Sequence, residues 1–225
     1  MQISPEIEKL LDWYDLNHRK LPFRSTKDPY KIWISEIMLQ QTQINTAVPY
    51  YNQWVKMYPT LSHVAKAKFS KLLKIWEGLG YYARCNNFHK SSKIVMDQYN
   101  GVIPQDYKKF ISLPGVGEYT AAAVLSIAFD KKIPAIDGNV KRVMSRYLGI
   151  KNITPKNYNR IKNKLKSWIS NQRPGDFNQA MMDLGSIICR STKPICIKCP
   201  IKKSCKGYLN NSPEEYPLKL VKKKT

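Results

Sequence analysis

Apolar residues recur every three to four positions along most of the chain, which is the spacing of amphipathic α-helices. Ser4 and Pro5 form a favourable helix start, and Gly and Pro residues interrupt the pattern at several later points. The pattern predicts helices over residues 5–17, 30–43, 46–58, 69–77, 82–99, 107–112, 118–129, 137–148, 157–170 and 176–188. No stretch shows the period-two alternation of a strand, so we expect an all-α protein that is loop-like from residue 202 onward.

Two of these predicted helices, 107–112 and 118–129, are joined by a turn with the sequence Leu113-Pro114-Gly115-Val116-Gly117. Pro114 presets φ, and Gly115 and Gly117 permit backbone angles or a close approach that a Cβ would forbid. The free N–H groups at the start of the second helix would bind an anion, and phosphate is the obvious one. Taken alone, such a turn is more often an ordinary connection between helices, so its meaning depends on the rest of the chain.

The composition indicates a polyanionic partner. The 225 residues include 38 Lys and Arg against 16 Asp and Glu, a formal net charge of +22, which is more than solubility requires. Such an excess is typical of proteins that bind nucleic acid or an acidic membrane surface. No apolar run has the length of a membrane span, and the first residues do not form a signal peptide. We therefore expect a cytoplasmic protein with reduced thiols.

The cysteines predict a metal site near the end of the chain. Four of them have the spacing C-x6-C-x2-C-x5-C, namely Cys189, Cys196, Cys199 and Cys205. In a reducing compartment such a set binds metal far more often than it forms disulfides, and the spacing alone fits zinc, slightly favoured, or a 4Fe–4S cluster. Lysines lie among the ligands and predict that the loop contacts phosphate groups of the polyanionic partner: Lys193, Lys198, Lys202, Lys203 and Lys206. The fifth cysteine, Cys85, is expected to be an ordinary buried residue.

Two acidic residues lie in contexts that suit acid–base chemistry. Glu36 stands among apolar residues of a predicted helix, either on its solvated face or in an apolar pocket that would favour the protonated acid. Asp137 begins another predicted helix, where an Asp is either only an N-cap or a cap and a catalyst together. Cleavage of a glycosidic bond needs two such acids, one to protonate the leaving group and one, ionised, to stabilise or attack the positive sugar.

Several sequence runs resemble the MutY-type adenine DNA glycosylases of the helix-hairpin-helix, endonuclease III superfamily. They are LPFR at 21–24, DPY at 28–30, ISEIMLQQTQ at 34–43, GLGYYAR at 78–84, LPGVG at 113–117, DGNV at 137–140 and FNQAMMDLG at 177–185. The resemblance covers nearly the whole chain and implies two helical domains that flank a DNA-binding cleft. One is a six-helix barrel with the helix-hairpin-helix, residues 22–132, and the other is an iron–sulfur domain, residues 1–21 and 133–225.

The resemblance also implies roles for individual residues. Glu36 would protonate the adenine leaving group, Asp137 would stabilise or trap the sugar cation, and Tyr119 and Asn139 would position Asp137 and the catalytic water. Further residues would contact DNA: Arg24 and Gln43 near the base pocket, Gln41 and Tyr82 as a wedge in the base stack, and Leu113, Gly115, Val116 and Gly117 in the hairpin. Without the surrounding run, Tyr82 would equally fit an ordinary core or surface aromatic. The four cysteines would hold a 4Fe–4S cluster rather than zinc.

The implied activity is excision of adenine mispaired with 8-oxoguanine or guanine, by a monomer that flips the base out of double-stranded DNA. Bifunctional relatives carry a Lys at the position of Tyr119, so this chain is expected to be monofunctional. A Tyr there also occurs in thymine glycosylases, so excision of thymine from G·T mismatches is the alternative enzymatic hypothesis. A non-catalytic DNA-binding module is the third. We expect the chain to lack the family's C-terminal 8-oxoguanine-recognition domain, through truncation or by nature.

Overall fold

The computed structural model describes residues 4–169 and 172–218, and within these ranges it contains helices and no strand. The predicted all-α class is therefore confirmed. The chain divides into two compact units. The middle unit is Lys20–Lys131, and the terminal unit comprises the described residues of Met1–Arg19 and Lys132–Thr225. In the part of the chain that is described, no helix has both the length and the apolar character needed to cross a membrane.

Along the described ranges, α-helices follow one another in chain order. They are α1 (Pro5–Asn17), α2 (Pro29–Leu39), α3 (Ile44–Met57), α4 (Leu61–Lys66), α5 (Phe69–Trp76), α6 (Ala83–Gln98), α7 (Tyr107–Ile111), α8 (Glu118–Phe129), α9 (Gly138–Leu148), α10 (Pro155–Trp168), α11 (Pro174–Asp183) and α12 (Lys206–Leu209). A π-helical turn, Leu184–Ile188, continues α11. Single 3₁₀ turns lie at Pro22–Arg24, Cys196–Lys198, Lys202–Ser204 and Pro213–Glu215.

The core of the middle unit forms around α2 and α8, which pack against each other. Both helices are apolar on nearly every side, so both are buried rather than amphipathic. Trp33 of α2 is fully buried and makes edge-to-face contacts with Phe88 at 4.9 Å and Phe110 at 5.1 Å. A polar side chain on α2 therefore lies inside the unit, where it needs a partner from a neighbouring helix.

The terminal unit has its own core, in which α9 contacts α10, α11 and α12. The N-terminal helix α1 packs on α11 through fully buried residues such as Ile7 and Leu10. Behind α1, the guanidinium of Arg19 donates a 2.9 Å hydrogen bond from Nε to Oδ1 of the buried Asp183. This charge-assisted contact fixes the N-terminal segment to a helix that lies far away in the sequence.

Several predicted boundaries differ from the observed ones. The helix predicted over 30–43 ends at Leu39, because Gln40 has an extended ψ of 114° and Gln41 a φ of 57°, neither of which continues an α-helix. The short α4 was not predicted, and the segment after residue 202 is not purely a loop, since it contains α12. The helix predicted over 157–170 begins at Pro155, and its predicted end at residue 170 lies outside the described residues.

Candidate functional site

Glu36 is held inside the middle unit by a residue of the hairpin's second helix. It lies on α2, which Asp28 caps by accepting a 2.9 Å hydrogen bond from the Tyr30 N–H. Glu36 is only 7% exposed, so the solvated alternative is wrong. The hydroxyl of Tyr119, at the start of α8, donates a 2.8 Å hydrogen bond to Oε2 of Glu36. The structure thus joins two predicted site residues that are far apart in the sequence, while the predicted action of Tyr119 on Asp137 stays a prediction.

The hairpin turn is locked onto α6 by one of its two glycines. Gly115 has a φ of 77°, and a Cβ there would lie 2.8 Å from the Cβ of Asn87. The hydroxyl of Ser91 donates a 2.8 Å hydrogen bond to the carbonyl of Pro114. Gly117 differs, because its φ is −92° and a Cβ would meet no atom within 4 Å. The chain itself therefore does not require a glycine at position 117, and the expectation of a close approach there stays a prediction.

Of the four predicted hairpin residues, Leu113 and Val116 lie in the core, and Gly115 and Gly117 lie at the surface. The side chains of Leu113 and Val116 are buried at 3% and 7% exposure, and the Val116 N–H donates to the Leu113 carbonyl at 3.1 Å. Both residues therefore anchor the turn in the core. Gly115 and Gly117 are exposed, so the turn presents backbone to solvent just before α8.

The predicted wedge residues lie on two loops that a single buried arginine joins. Arg84 of α6 donates to the carbonyls of Ile37 and Met38 at 3.0 Å, at the end of α2. It also donates to the carbonyls of Leu79 and Gly80 at 3.2 Å, in the loop before α6. Gln41 lies just after the end of α2, and Tyr82 lies just after the Leu79–Gly80 segment. Arg84 therefore fixes the backbone on which both residues lie. Arg84 belongs to one of the sequence motifs, but the motif alone assigns it no role.

Tyr81, to which the sequence motifs assign no role either, has a less common backbone conformation than its neighbour Tyr82. Tyr81 has a φ of 48°, is 58% exposed and lies with its ring 5.3 Å from the Arg84 guanidinium. Tyr82 is 48% exposed and lines a groove of about 660 Å³ formed with residues of α5 and α6. A positive φ at a non-glycine residue often marks a functional position. Tyr81 therefore joins Tyr82 as a wedge candidate.

The two remaining predicted DNA contacts of the middle unit lie near helix starts. Gln43 is exposed at the N-cap position of α3, and its side chain makes no cap hydrogen bond. Arg24 is half-buried in the 3₁₀ turn that precedes α2. Both lie in the middle unit, as do Glu36 and Gln41, and their contacts with DNA stay predictions.

In the terminal unit, Asp137 is the N-cap of α9. Its Oδ1 accepts a 2.7 Å hydrogen bond from the Val140 N–H, and its Oδ2 accepts one of 2.9 Å from the side-chain amide of Asn139. The capping interpretation is confirmed, and the half-buried carboxylate remains a candidate for catalysis as well. These two hydrogen bonds fix the orientation of the carboxylate.

A second arginine connects Asn139 to the cysteine segment. Arg142 donates to Oδ1 of Asn139 at 2.9 Å, to the Gly185 carbonyl at 2.6 Å and to the Cys189 carbonyl at 2.9 Å. Burial lowers the pKa of Arg142. A Cβ on Gly185 would lie 2.6 Å from the Cβ of Asn139, so the π-helical turn packs directly on this amide. The orientation of Asp137 therefore depends on the backbone beside the first cysteine.

The four clustered cysteines line one cavity. Cys189, Cys196, Cys199 and Cys205 surround it together with Arg146 and Lys202. Burial raises the pKa of the Cys199 thiol to about 12. Arg146 is 2% exposed and donates to the carbonyls of Cys189, Arg190, Ser191 and Tyr216, and to Sγ of Cys189 at 3.3 Å. Among the described residues, no three His, Cys, Asp or Glu side chains converge as the ligands of one metal ion.

A cationic groove of about 560 Å³ opens beside the Asn139–Arg142 pair. It is lined by residues of α9, the π-helical turn and the start of the cysteine loop: Asn139, Arg142, Gly185, Ser186, Arg190, Ser191, Thr192 and Lys193. Cations and hydroxyls in one groove suit a phosphate group. Of the loop lysines singled out from the sequence, Lys193 lines this groove, Lys202 lines the cysteine cavity, and Lys198, Lys203 and Lys206 are exposed.

Comparison with known sequences identifies a family and several relatives. Residues 34–171 match the family described as HhH-GPD superfamily base excision DNA repair protein. An adenine DNA glycosylase of Buchnera aphidicola subsp. Acyrthosiphon pisum is 42% identical over 95% of this chain and 62% of its own length. One of Mus musculus is 38% identical over 88% of this chain and 41% of its own. The chain thus spans less than two thirds of the curated relatives it matches.

Comparison with solved structures gives neighbours of the same fold. A thermostable thymine-DNA glycosylase superposes with a TM-score of 0.84 at 31% identity, over 91% of this chain and 95% of its own. Endonuclease III in a non-covalent DNA complex superposes with a TM-score of 0.77 at 22% identity, over 91% of this chain and 94% of its own. The endonuclease III-like fold expected from the sequence motifs is confirmed.

Proposed function

The chain belongs to the HhH-GPD superfamily of base excision DNA repair proteins, and from this premise we propose that it is a monofunctional DNA glycosylase that excises adenine. One structural observation carries the proposal, the buried Glu36 carboxyl group under the Tyr119 hydroxyl at 2.8 Å. A buried acid with an oriented hydroxyl partner suits proton transfer, whereas a module that only binds DNA has no use for it. The relatives named as adenine DNA glycosylases support adenine as the base.

In the proposed mechanism, the two acids divide the work. Glu36 donates a proton to the departing adenine, so that a neutral base leaves, and Tyr119 holds the carboxyl group in the orientation for that transfer. The Asp137 carboxylate, oriented by its hydrogen bonds from Val140 and Asn139, stabilises the positive sugar. Tyr119 carries no amine, so no Schiff base forms on it and water completes the reaction.

In this proposal, the hairpin and the loops that carry the wedge residues position the DNA. The exposed backbone at Gly115 and Gly117 would bind phosphate at the start of α8, where the helix dipole favours an anion. Gln41, Tyr82 and Tyr81 would fill the gap that the flipped adenine leaves, since stacked replacement offsets part of the unstacking cost. Arg24 and Gln43 would contact the base or the backbone near the pocket, and Lys193 would bind phosphate in its groove.

The cysteine cavity can hold a 4Fe–4S cluster, which the resemblance of the sequence motifs implies in place of a single zinc ion. A cluster binds each thiolate on a different iron, so its ligands surround a cavity, as Cys189, Cys196, Cys199 and Cys205 do here. When bound, it would cross-link the loop and supply no step of base excision. The buried Arg146 would face its negative charge.

The proposal also covers which mispaired DNA the protein recognises. We expect the substrate to be double-stranded DNA with adenine opposite 8-oxoguanine or guanine, bound by a monomer inside the cell. The structural likeness to a thymine-DNA glycosylase favours G·T mismatches as the second candidate. These substrates differ in the released base, so product identity separates the two candidates.

The decisive test is single-turnover release of labelled base from A·8-oxoguanine, A·G and G·T duplexes. Release of adenine from the first two is the expected result, and release of thymine from G·T alone would establish the second candidate. Glu36→Gln and Asp137→Asn should each abolish release while mismatch binding persists, because both changes keep the side-chain volume. No release from any duplex by the metal-loaded wild type would leave a DNA-binding module as the function.

A further inference from the structure

The exposed face of α10 carries positive charge without any acidic residue. Its buried face is Ile161, Leu165 and Trp168, at the spacing of one helix side. The remaining circumference presents the α10 basic face, which consists of Lys156, Arg160, Lys162, Lys164 and Lys166. Between Asp137 and Asp176 the sequence contains no Asp or Glu at all.

Charge in the terminal unit is separated between helices rather than mixed. The exposed side of α1 carries Glu8, Asp12 and Asp15 with a single lysine, Lys9. A protein that needs its charge only for solubility intersperses both signs on one surface. Concentration of one sign on one helix gives the unit a directional field that attracts a polyanion.

The cations of α10 also differ from those that flank the helix. Lys151 pairs with Glu215 at 3.1 Å, and Arg173 pairs with Asp15. Lys156, Arg160 and Lys166 are exposed and have no carboxylate partner within residues 4–169 and 172–218. Lys156 and Arg160, like Arg160 and Lys164, are four residues apart, so like charges face each other along the helix and mildly destabilise it. A bound polyanion would remove that repulsion.

The dimensions of this face suit a nucleic-acid backbone. Lys156 and Lys166 are ten residues apart, which is about 15 Å along a helix. One DNA strand advances about 3.4 Å per nucleotide, so the face spans about four phosphates. The exposed amides of Asn159 and Asn163 lie between the cations and add neutral donors, which phosphate oxygens also accept. The surface continues onto α9, where Nζ of Lys141 lies 5.4 Å from the Tyr158 ring of α10.

We propose that the α10 basic face is an auxiliary, sequence-independent binding surface for the backbone of double-stranded DNA, separate from the residues assigned to base excision. It contains none of the acids, hairpin residues or wedge residues. Phosphate contacts carry no sequence information, so this surface raises affinity for any duplex and retains the protein on DNA between lesions. It requires only that the protein binds DNA, and it stands whether adenine or thymine is the excised base.

The test compares two triple variants of the full chain on undamaged duplex DNA over a salt series. Lys156→Gln, Arg160→Gln and Lys166→Gln remove three charges from the face, and glutamine keeps the helix propensity. The matched control removes three exposed lysines of the middle unit by Lys66→Gln, Lys68→Gln and Lys71→Gln. Circular dichroism checks that both variants fold.

The slope of log K against log salt should flatten by about 2 to 3 units in the α10 variant, since each lost phosphate contact removes about 0.9. The control should change it much less, and base release at saturating enzyme should stay at the wild-type rate in the α10 variant. A wild-type slope in the α10 variant, or an equal change in both variants, would overturn the proposal. So would loss of binding to phosphatidylserine vesicles with an unchanged duplex slope, which would make the face a membrane surface.

Discussion

At the scale of single residues, the Tyr119 hydroxyl is the contact that most directly tests the proposed chemistry. Tyr119→Phe removes the donor to Glu36 and leaves the ring in place. A hydrogen bond to a group that changes charge during the reaction is worth about 1.5–3 kcal/mol, so single-turnover base release should slow about 10- to 100-fold. Tyr50→Phe is the matched control, because it deletes a 2.9 Å phenol hydrogen bond to the Glu77 carbonyl of the same unit. Equal rates in wild type and Tyr119→Phe would remove this residue from the mechanism.

The hairpin glycines offer a second comparison of single residues. Gly115→Ala places a Cβ at a φ of 77° and 2.8 Å from Asn87, which should cost at least about 1–2 kcal/mol of folding stability. Gly117→Ala meets no neighbour, so its stability should change by less than about 1 kcal/mol. If the open side of Gly117 faces a DNA backbone, the same alanine should weaken duplex binding. Denaturant unfolding and duplex affinity, measured for both variants, separate the two roles, and equal destabilisation would contradict the geometry.

At the scale of elements, Arg84 ties the end of α2 to the loop before α6. Its guanidinium donates to backbone carbonyls of both segments, whereas a lysine has three donors on one nitrogen and reaches fewer of them. Arg84→Lys should therefore lower the free energy of unfolding by about 2–3 kcal/mol and loosen the loops of Gln41 and Tyr82. Arg160→Lys, at an exposed arginine, should change stability by less than about 0.5 kcal/mol. Thermal unfolding of the two variants is the measurement, and similar losses would refute a special role for Arg84.

Elements were predictable from sequence where local signals decide them. Helix α9 begins where Asp137 provides a cap, and α1 runs from Pro5 to Asn17 as its periodicity indicated. The end of α2 was not predictable from local pattern, because the run to Gln43 has good helical residues, whereas in the structure Arg84 binds the last α2 carbonyls and Gln41 has a positive φ. The pairing of Glu36 with Tyr119 was likewise inaccessible to local pattern, since it depends on the packing of α2 against α8. Family resemblance, rather than periodicity, placed both residues in one site.

At the scale of the whole molecule, the two units depend on different interactions. Aromatic packing stabilises the middle unit, in which Trp33 and Phe88 are fully buried. The C-terminal part of the other unit has short turns and one four-residue helix, and the buried Arg146 donates to the carbonyls of Cys189, Arg190, Ser191 and Tyr216, on either side of these turns. Short turns of this kind bury little apolar surface by themselves, so this region needs an added cross-link.

That difference predicts how the protein responds to loss of the proposed cluster. Anaerobically purified protein should be yellow-brown and contain about four irons per chain, as a four-cysteine cluster requires. After oxidative removal of iron, limited proteolysis of the full chain should cut first between Cys189 and Tyr216, while Lys20–Lys131 resists. Cys199→Ser should give the same cleavage pattern without treatment, and Cys85→Ser, a cysteine buried in the middle unit, should retain iron. Stoichiometric zinc in place of iron would contradict the iron–sulfur assignment. Simultaneous cleavage of both units would show that the middle unit depends on the cysteine loop as much as the terminal unit does.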